Sequence, residues 1–472
     1  MDFTRTFIPS KYLLFVFALV LILVAAPAPY ALENSETINL EQEYQAITTR
    51  LYSVLAANIS ECRTRNDSLK NLNLQLKKLS NQNKNIIGIC LIQNHAELLH
   101  KNIDNKEIFP VFQFLLENNN LPLANELYLR AKNEGDKSLV SNISFIYAQY
   151  YLKRKNWKKV LQYTKDIYTD LTANDASLAY IYTGIALQNV KKHREAVKIY
   201  LKVPRQSEHY PAARLNIATA YIRQDWWTDA HIKINEILNN KEIKANNEMN
   251  NRLYLVLGYS LLRKEFYRDS REAFRNIEIN SVYFNKALLG IALTATNQED
   301  YIGALNVIKI LMSKERYDLS VDESYLLLPY IYEKLGQNMT ASASYSDALK
   351  YYQSRIENLT TIKNKNSISA QGILNNSNHL VIENNIINYS QYFPISFLQN
   401  KVRIDELSKY TSHINNANLL KNFLALKEKY NNSLLNNLNI VFDSRLAYLE
   451  SYMNQSRFGL ARLFDNSNSA SN

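Results

Sequence analysis

Apolar positions recur three and four residues apart along most of the chain, the spacing of one face of an α-helix. Between Leu32 and Ile87 no Gly or Pro interrupts the pattern, and the leucines from Ser68 to Leu79 predict helix. Breaks are expected near Asn66 and from Asn81 to Asn85, where polar residues cluster. Residues 32–104 thus read as an N-terminal helical region, with two or three helices between Ile38 and Lys101. At the other end, Ser396 to Arg457 again lacks Gly and Pro. Leu419, Phe423, Leu434, Leu438, Val441, Leu449 and Met453 stripe one or two long helices across 396–465. A long helix with one apolar side does not stand alone in water, so these must pack on something. Gly459 predicts an interruption before a last turn, Leu460 to Phe464, and 466–472 read as a polar tail. Residues 356–395, rich in Asn and punctuated by Phe393 and Pro394, predict an irregular insertion.

Between residues 105 and 355 the pattern repeats itself. Gly184, Ala196 and Tyr200 set a small residue on a first helix, a second small residue twelve positions on, and an aromatic four later. Gly258, Ser270 and Phe274 repeat the set, Ala218, Ala230 and Ile234 and then Ala292, Ala304 and Ile308 repeat it with Ile for the aromatic, and Ala341 and Tyr345 give its second half. Two helices cross closely only where one side chain is nearly absent. This pattern resembles the tetratricopeptide repeat (TPR) family, with about seven copies starting at Asn105, Ser141, Ser177, Pro211, Asn251, Asn285 and Asp322. The resemblance implies an all-α fold: a right-handed α-solenoid of helical hairpins, with the N-terminal helices and the long C-terminal helices packed on it. Phe112, Val160, Ile302 beside Gly303, and Pro329 depart from the family's small positions. Trp157, Trp227, Tyr267 and Tyr301 share one repeat position before the second helix, where the family packs an aromatic between hairpins; Trp226 stands one residue earlier, unexplained.

Composition narrows the chemistry. The chain has 472 residues, only 9 Gly and 9 Pro, and no Gly cluster, which excludes P-loop and dinucleotide-binding folds and argues against many-turned β architectures. Arg5 and Lys11 precede an apolar run from Tyr12 to Ala26, and small residues follow to Ala31, the layout of a secretory signal over 1–31 or of an uncleaved anchor over 12–28. The rest of the chain is then expected to be exported, to a bacterial periplasm above other compartments, and nucleic acid is not an expected partner despite the net charge of +11. Cys62 and Cys90 either pair, closing a loop worth on the order of 3.6 kcal/mol, or stay two buried thiols. The seven histidines are scattered without metal spacing, and no nucleophile elbow or zinc motif occurs, so no catalytic, cofactor or metal site is expected.

Two surfaces remain. In the repeat family the first helices line a concave wall, and in this register Phe109, Phe145, Ile181, Leu215, Leu255, Leu289 and Leu326, with Tyr259, Leu293 and Tyr330, predict an apolar groove. The carboxylate-clamping Lys and Asn of familiar members are missing there. Such a stripe is expected to be covered, by the chain's own C-terminal helix or by a partner's amphipathic helix or apolar segment. At the turns within hairpins, Lys153, Arg154, Lys155, Lys158, Lys159, Lys191, Lys192, Arg194, Arg263 and Lys264 predict a basic edge that an anionic lipid, a glycan or an acidic protein would meet. The leading reading is a non-catalytic exported scaffold that holds protein partners in a cell-envelope complex. Two alternatives stand beside it: a glycan-associated or polymer-processing protein, and a membrane-anchored oligomeric subunit.

Overall fold

The computed structural model describes residues 35–224, 226–238, 247–314, 318–365, 368–375, 379–382, 385–388 and 393–469. The expected leader lies outside these residues. Four helices open the described chain: α1 (Ser35–Asn58), α2 (Leu69–Asn81), α3 (Asn85–Asn94) and α4 (Ala96–Lys101). Ser68 caps α2, its hydroxyl accepting from the Asn71 N–H, and Leu69, Leu72, Leu76 and Leu79 form its buried face. α3 is apolar all round, and Ile86 to Ile92 are all buried, which makes it the centre of this region.

Seven helical hairpins follow. They are α5 (Phe109–Glu117) with α6 (Leu121–Glu134), α7 (Lys137–Lys153) with α8 (Trp157–Tyr163), and α9 (Ala173–Asn189) with α10 (His193–Tyr200). Next come α11 (Tyr210–Ile222) with α12 (Trp227–Leu238), α13 (Asn247–Arg263) with α14 (Tyr267–Arg275), α15 (Phe284–Asn297) with α16 (Tyr301–Met312), and α17 (Leu319–Lys334) with α18 (Asn338–Lys365). Each helix packs on the one before and the one after, so the array is an α-solenoid. The turn inside the hairpin is the same device in six of the seven. Asn119, Lys155, Lys191, Glu265, Glu299 and Gly336 all take positive φ, from 53° to 71°. The next residue's N–H then returns to a carbonyl five back, as from Asn156 to Tyr151 and from Asp300 to Ala295. Asn120, Asn156 and Asp300 cap the second helices that follow.

Small residues set the closeness of the hairpins. A Cβ on Gly184 would lie 2.3 Å from the Tyr200 ring, so only glycine admits that ring. Phe274 is wedged between Gly258 of its own hairpin and Gly290 of the next, where added Cβ atoms would come within 2.6 and 2.4 Å of it.

The C-terminal third closes the array. After α18 come α19 (Ala370–Asn375) and a two-stranded antiparallel hairpin of β1 (His379–Ile382) and β2 (Asn385–Asn388), with Leu380 opposite Ile387. The stretch expected to be irregular therefore carries some regular structure. α20 (Ile395–Leu407) and the 53-residue α21 (Ala417–Ser469) end the described chain. Gly459 does not interrupt α21, contrary to the sequence expectation. It lies where the helix crosses Tyr345, whose ring would sit 2.4 Å from a Cβ there. The polar tail likewise continues the helix as far as Ser469. α21 runs antiparallel to α18, with the Tyr452 and Tyr352 rings 5.8 Å apart and Lys363 Nζ 2.6 Å from Asp443 Oδ1. Its earlier turns reach α1, where the Tyr430 ring meets Tyr44 edge-on at 6.3 Å and Lys429 pairs with Glu43 at 2.8 Å. The N-terminal helices, the first two hairpins, the last hairpin and α20–α21 share one apolar core, including Tyr44, Phe112, Tyr147, Tyr352, Phe423 and Tyr430. The two ends of the solenoid are fastened together.

Candidate functional site

Two buried polar clusters make that fastening. At the first, Asn119 and Arg154 in the first two hairpins meet α1 and α20. Asn119 Nδ2 donates to Glu41 at 2.9 Å, Asn400 Nδ2 donates to Glu41 and to the Tyr430 hydroxyl, and Arg154 Nη2 donates to Asn119 and Gln399. The Arg154 guanidinium lies 3.6 Å from the centre of the Tyr150 ring, and burial lowers its pKa from the usual arginine value. Arg403 of α20 donates to Asn118. At the second cluster, Asp322 and Glu323 of α17 are buried and meet α18 and α21. Arg355 and Arg445 both pair with Asp322, the Tyr351 hydroxyl donates to its carboxylate at 2.7 Å, and the Tyr452 hydroxyl donates to Glu323 at 2.9 Å.

Burial raises the Glu323 carboxyl from its usual 4.5 to about 7, helped by Asp322 and Asp318 and opposed by the Tyr452 hydrogen bond and Arg445. A carboxyl whose folded pKa is raised stabilises the fold in full below its unfolded pKa, and that contribution is lost as pH rises through the folded value. Between pH 5 and 8 the α17–α21 contact is therefore expected to weaken, by on the order of 3 kcal/mol for this group. Glu323→Gln is expected to flatten that slope, and denaturant midpoints of the two proteins across this pH range give the difference.

The apolar wall expected on the first helices is not an open stripe. Phe145, Ile181, Leu215, Leu255, Tyr259, Leu289 and Leu293 are buried, and Phe109, Leu326 and Tyr330 are half-buried. Phe145 stacks on Tyr182 at 5.8 Å, while Leu255, Tyr259, Leu289 and Leu293 share a core with Phe274. These side chains point at the neighbouring hairpin, because stacking presents each first helix to the next as well as to the hollow. Nor does α21 lie along the groove. Its close packing on a first helix is at α17, and it packs besides on α1, α18, α20 and β2. Between the two ends, Ile185, Thr219 and Val256 remain half-buried.

The basic edge loses one member. Arg154 is held by Asn119, Gln399 and Tyr150 and belongs to the first buried cluster. Lys153, Lys155, Lys158, Lys191, Lys192, Arg194, Arg263 and Lys264 are exposed at the hairpin turns, and Lys159 is half-buried. Arg194 lies over Trp226, and Arg263 and Lys264 lie over Trp227. Cys62 and Cys90 are free, fully buried thiols. The hydrogen bond with Cys62 and burial hold the Cys90 thiol far above its ordinary pKa, and its Sγ lies 3.7 Å from the Tyr52 carbonyl. Among the described residues no group of three or more His, Cys, Asp or Glu side chains is placed to hold a metal ion, and no helix is long and apolar enough to cross a membrane. Sequence reasoning missed Asp322 and Glu323, since an acidic pair in the first turn of a helix reads as solvated charge. Arg355 and Arg445 give no local signal of the role they play.

No family model and no curated protein matches the chain. Among solved structures it is similar to the C-terminal part of a TPR repeat-containing protein from Cytophaga hutchinsonii, at 16% identity over 51% of this chain and 94% of that one, with a TM-score of 0.43. It is also similar to the apo quorum sensor NprR from B. thuringiensis, at 15% identity over 71% and 99% of the two chains, TM-score 0.36. A third is a Rap protein complexed with competence and sporulation factor, at 12% identity over 76% and 99%, TM-score 0.27. At these values the likeness adds nothing to the hairpin geometry described above.

Proposed function

We propose that the chain is a non-catalytic scaffold that binds protein partners. One observation carries this reading. The chain's own terminal helices are engaged at the two ends of the solenoid, and the first helices between Ala173 and Met312 keep half-buried apolar and polar side chains that those helices do not cover closely. Stacked hairpins of this kind offer a long surface of fixed curvature, suited to another chain. The finer reading is an exported protein that takes part in the assembly or working of a cell-envelope complex. What supports it is the charged, apolar and small-residue succession of residues 1–31.

A photo-crosslinking side chain placed at Ile185 or Thr219 in the native cell is expected to trap one discrete protein. The same probe at Leu74, exposed on α2, serves as the control. Equal yields and identical products at all three positions would count against the scaffold. The intact mass of the exported protein reports separately on the leader.

A further inference from the structure

Among the described residues, the stack of hairpins is least closed between the fourth and the fifth. At every other junction the neighbouring first helices pack on each other, whereas α11 and α13 barely meet and α12 on α13 makes the contact. The longest step in the repeat register, from Pro211 to Asn251, falls at the same place. Two clefts open there side by side, of about 480 and 650 Å³, sharing His231 and Phe266. The first runs between α12 and α14 over a floor of Tyr254, Leu257 and Leu261. The second leads from it to the turn edge, between Trp226, Trp227 and Lys264. Phe266 is 56% exposed and Trp226 38%, large apolar areas for a hairpin turn.

Charge decides what fits. Arg194 is held 5.3 Å from the centre of the Trp226 ring, and Arg263 and Lys264 are held 5.3 and 5.4 Å from that of Trp227. A guanidinium beside an indole keeps its planar fork of donors, which a carboxylate can meet with two hydrogen bonds. Among the described residues none of these three cations makes an ion pair. The slot also carries exposed carboxylates of its own, Asp229 beside the second cleft and Asp269 and Glu272 beside the first. A uniform polyanion is repelled along such a path, and the chain's own cations already lie over the indoles on which nucleic-acid bases would stack.

We propose that this junction is a docking slot for a partner's peptide segment in which one or two carboxylates stand beside a large apolar side chain. The carboxylates meet Arg194, Arg263 and Lys264 at the rim, and the apolar side chain lies against Phe266 and the leucine floor. The proposal rests on the scaffold reading and gives it a partner chemistry.

The test uses the full chain and a panel of fluorescein-labelled synthetic peptides carrying two Glu before one Leu, Phe or Trp, read by fluorescence anisotropy at low salt. At least one member is expected to bind. Its affinity is expected to fall about tenfold when Gln replaces its Glu, about tenfold in the Arg263→Glu, Lys264→Glu double variant, and about tenfold in Phe266→Ser. All three substituted side chains are exposed, and circular dichroism verifies the fold of the variants. Three results overturn the slot: no panel member binds, binding is indifferent to Phe266→Ser, or an oligothymidylate binds as tightly as the best peptide. Crosslinking from Ile185 and Thr219 reads the inner wall instead, so the slot can fail while the scaffold stands.

Discussion

Asp322→Asn is expected to lower the stability of the folded chain by about 3–5 kcal/mol and to loosen α21 from the last hairpin. Asp322 is fully buried and accepts from Arg355 on α18 and Arg445 on α21, so a single carboxylate neutralises two cations brought from separate helices. The amide keeps the shape and removes the charge. It leaves two buried guanidiniums without the carboxylate they share, beside a Glu323 that favours its neutral form. Urea denaturation followed by far-ultraviolet circular dichroism measures the loss, and limited proteolysis after Arg457 or Arg462 reports the release of α21. Arg445→Met is expected to cost less, because Arg355 still faces Asp322. Equal midpoints for the wild-type chain and Asp322→Asn would show that this cluster does not hold the end of the solenoid.

Phe274→Ala is expected to cost about 3–5 kcal/mol, as for other fully buried aromatics. This ring fills the space that Gly258 and Gly290 leave, and it touches Tyr259 edge-on at 4.8 Å. Neither glycine has a side chain with which to close the hole, so relaxation must come from the hairpins themselves. The loss is expected to appear as faster amide exchange in α13–α16 above that in α5–α8. A uniform rise along the chain would mean that the fifth and sixth hairpins are not coupled through this ring.

The repeat was legible because its signal is steric. Gly184 with Tyr200 and Gly258 with Phe274 are spaced as a close helix crossing demands. The turn device was not legible, because glycine marks it at Gly336 alone while Lys155, Lys191, Glu265 and Glu299 take the same left-handed conformation. Periodicity showed that Leu255 and Leu289 lie on an apolar face, but it could not say whether that face meets solvent or the next hairpin. The same limit applies to charge. Arg154 reads as one more cation in a basic turn, yet its hydrogen-bond partner Gln399 is 245 positions away in sequence. Gly459 misled in the opposite sense, since a helix-weakening residue was selected by the ring it passes.

An open array of repeats melts from its tips, because the outermost unit has one neighbour instead of two. Here the first and last units share one core through α1, α20 and α21, so among the described residues neither end of the array stands free to fray. The array is thus expected to respond mechanically as a hoop under a clasp, with a curvature set at folding that a guest would have to accept.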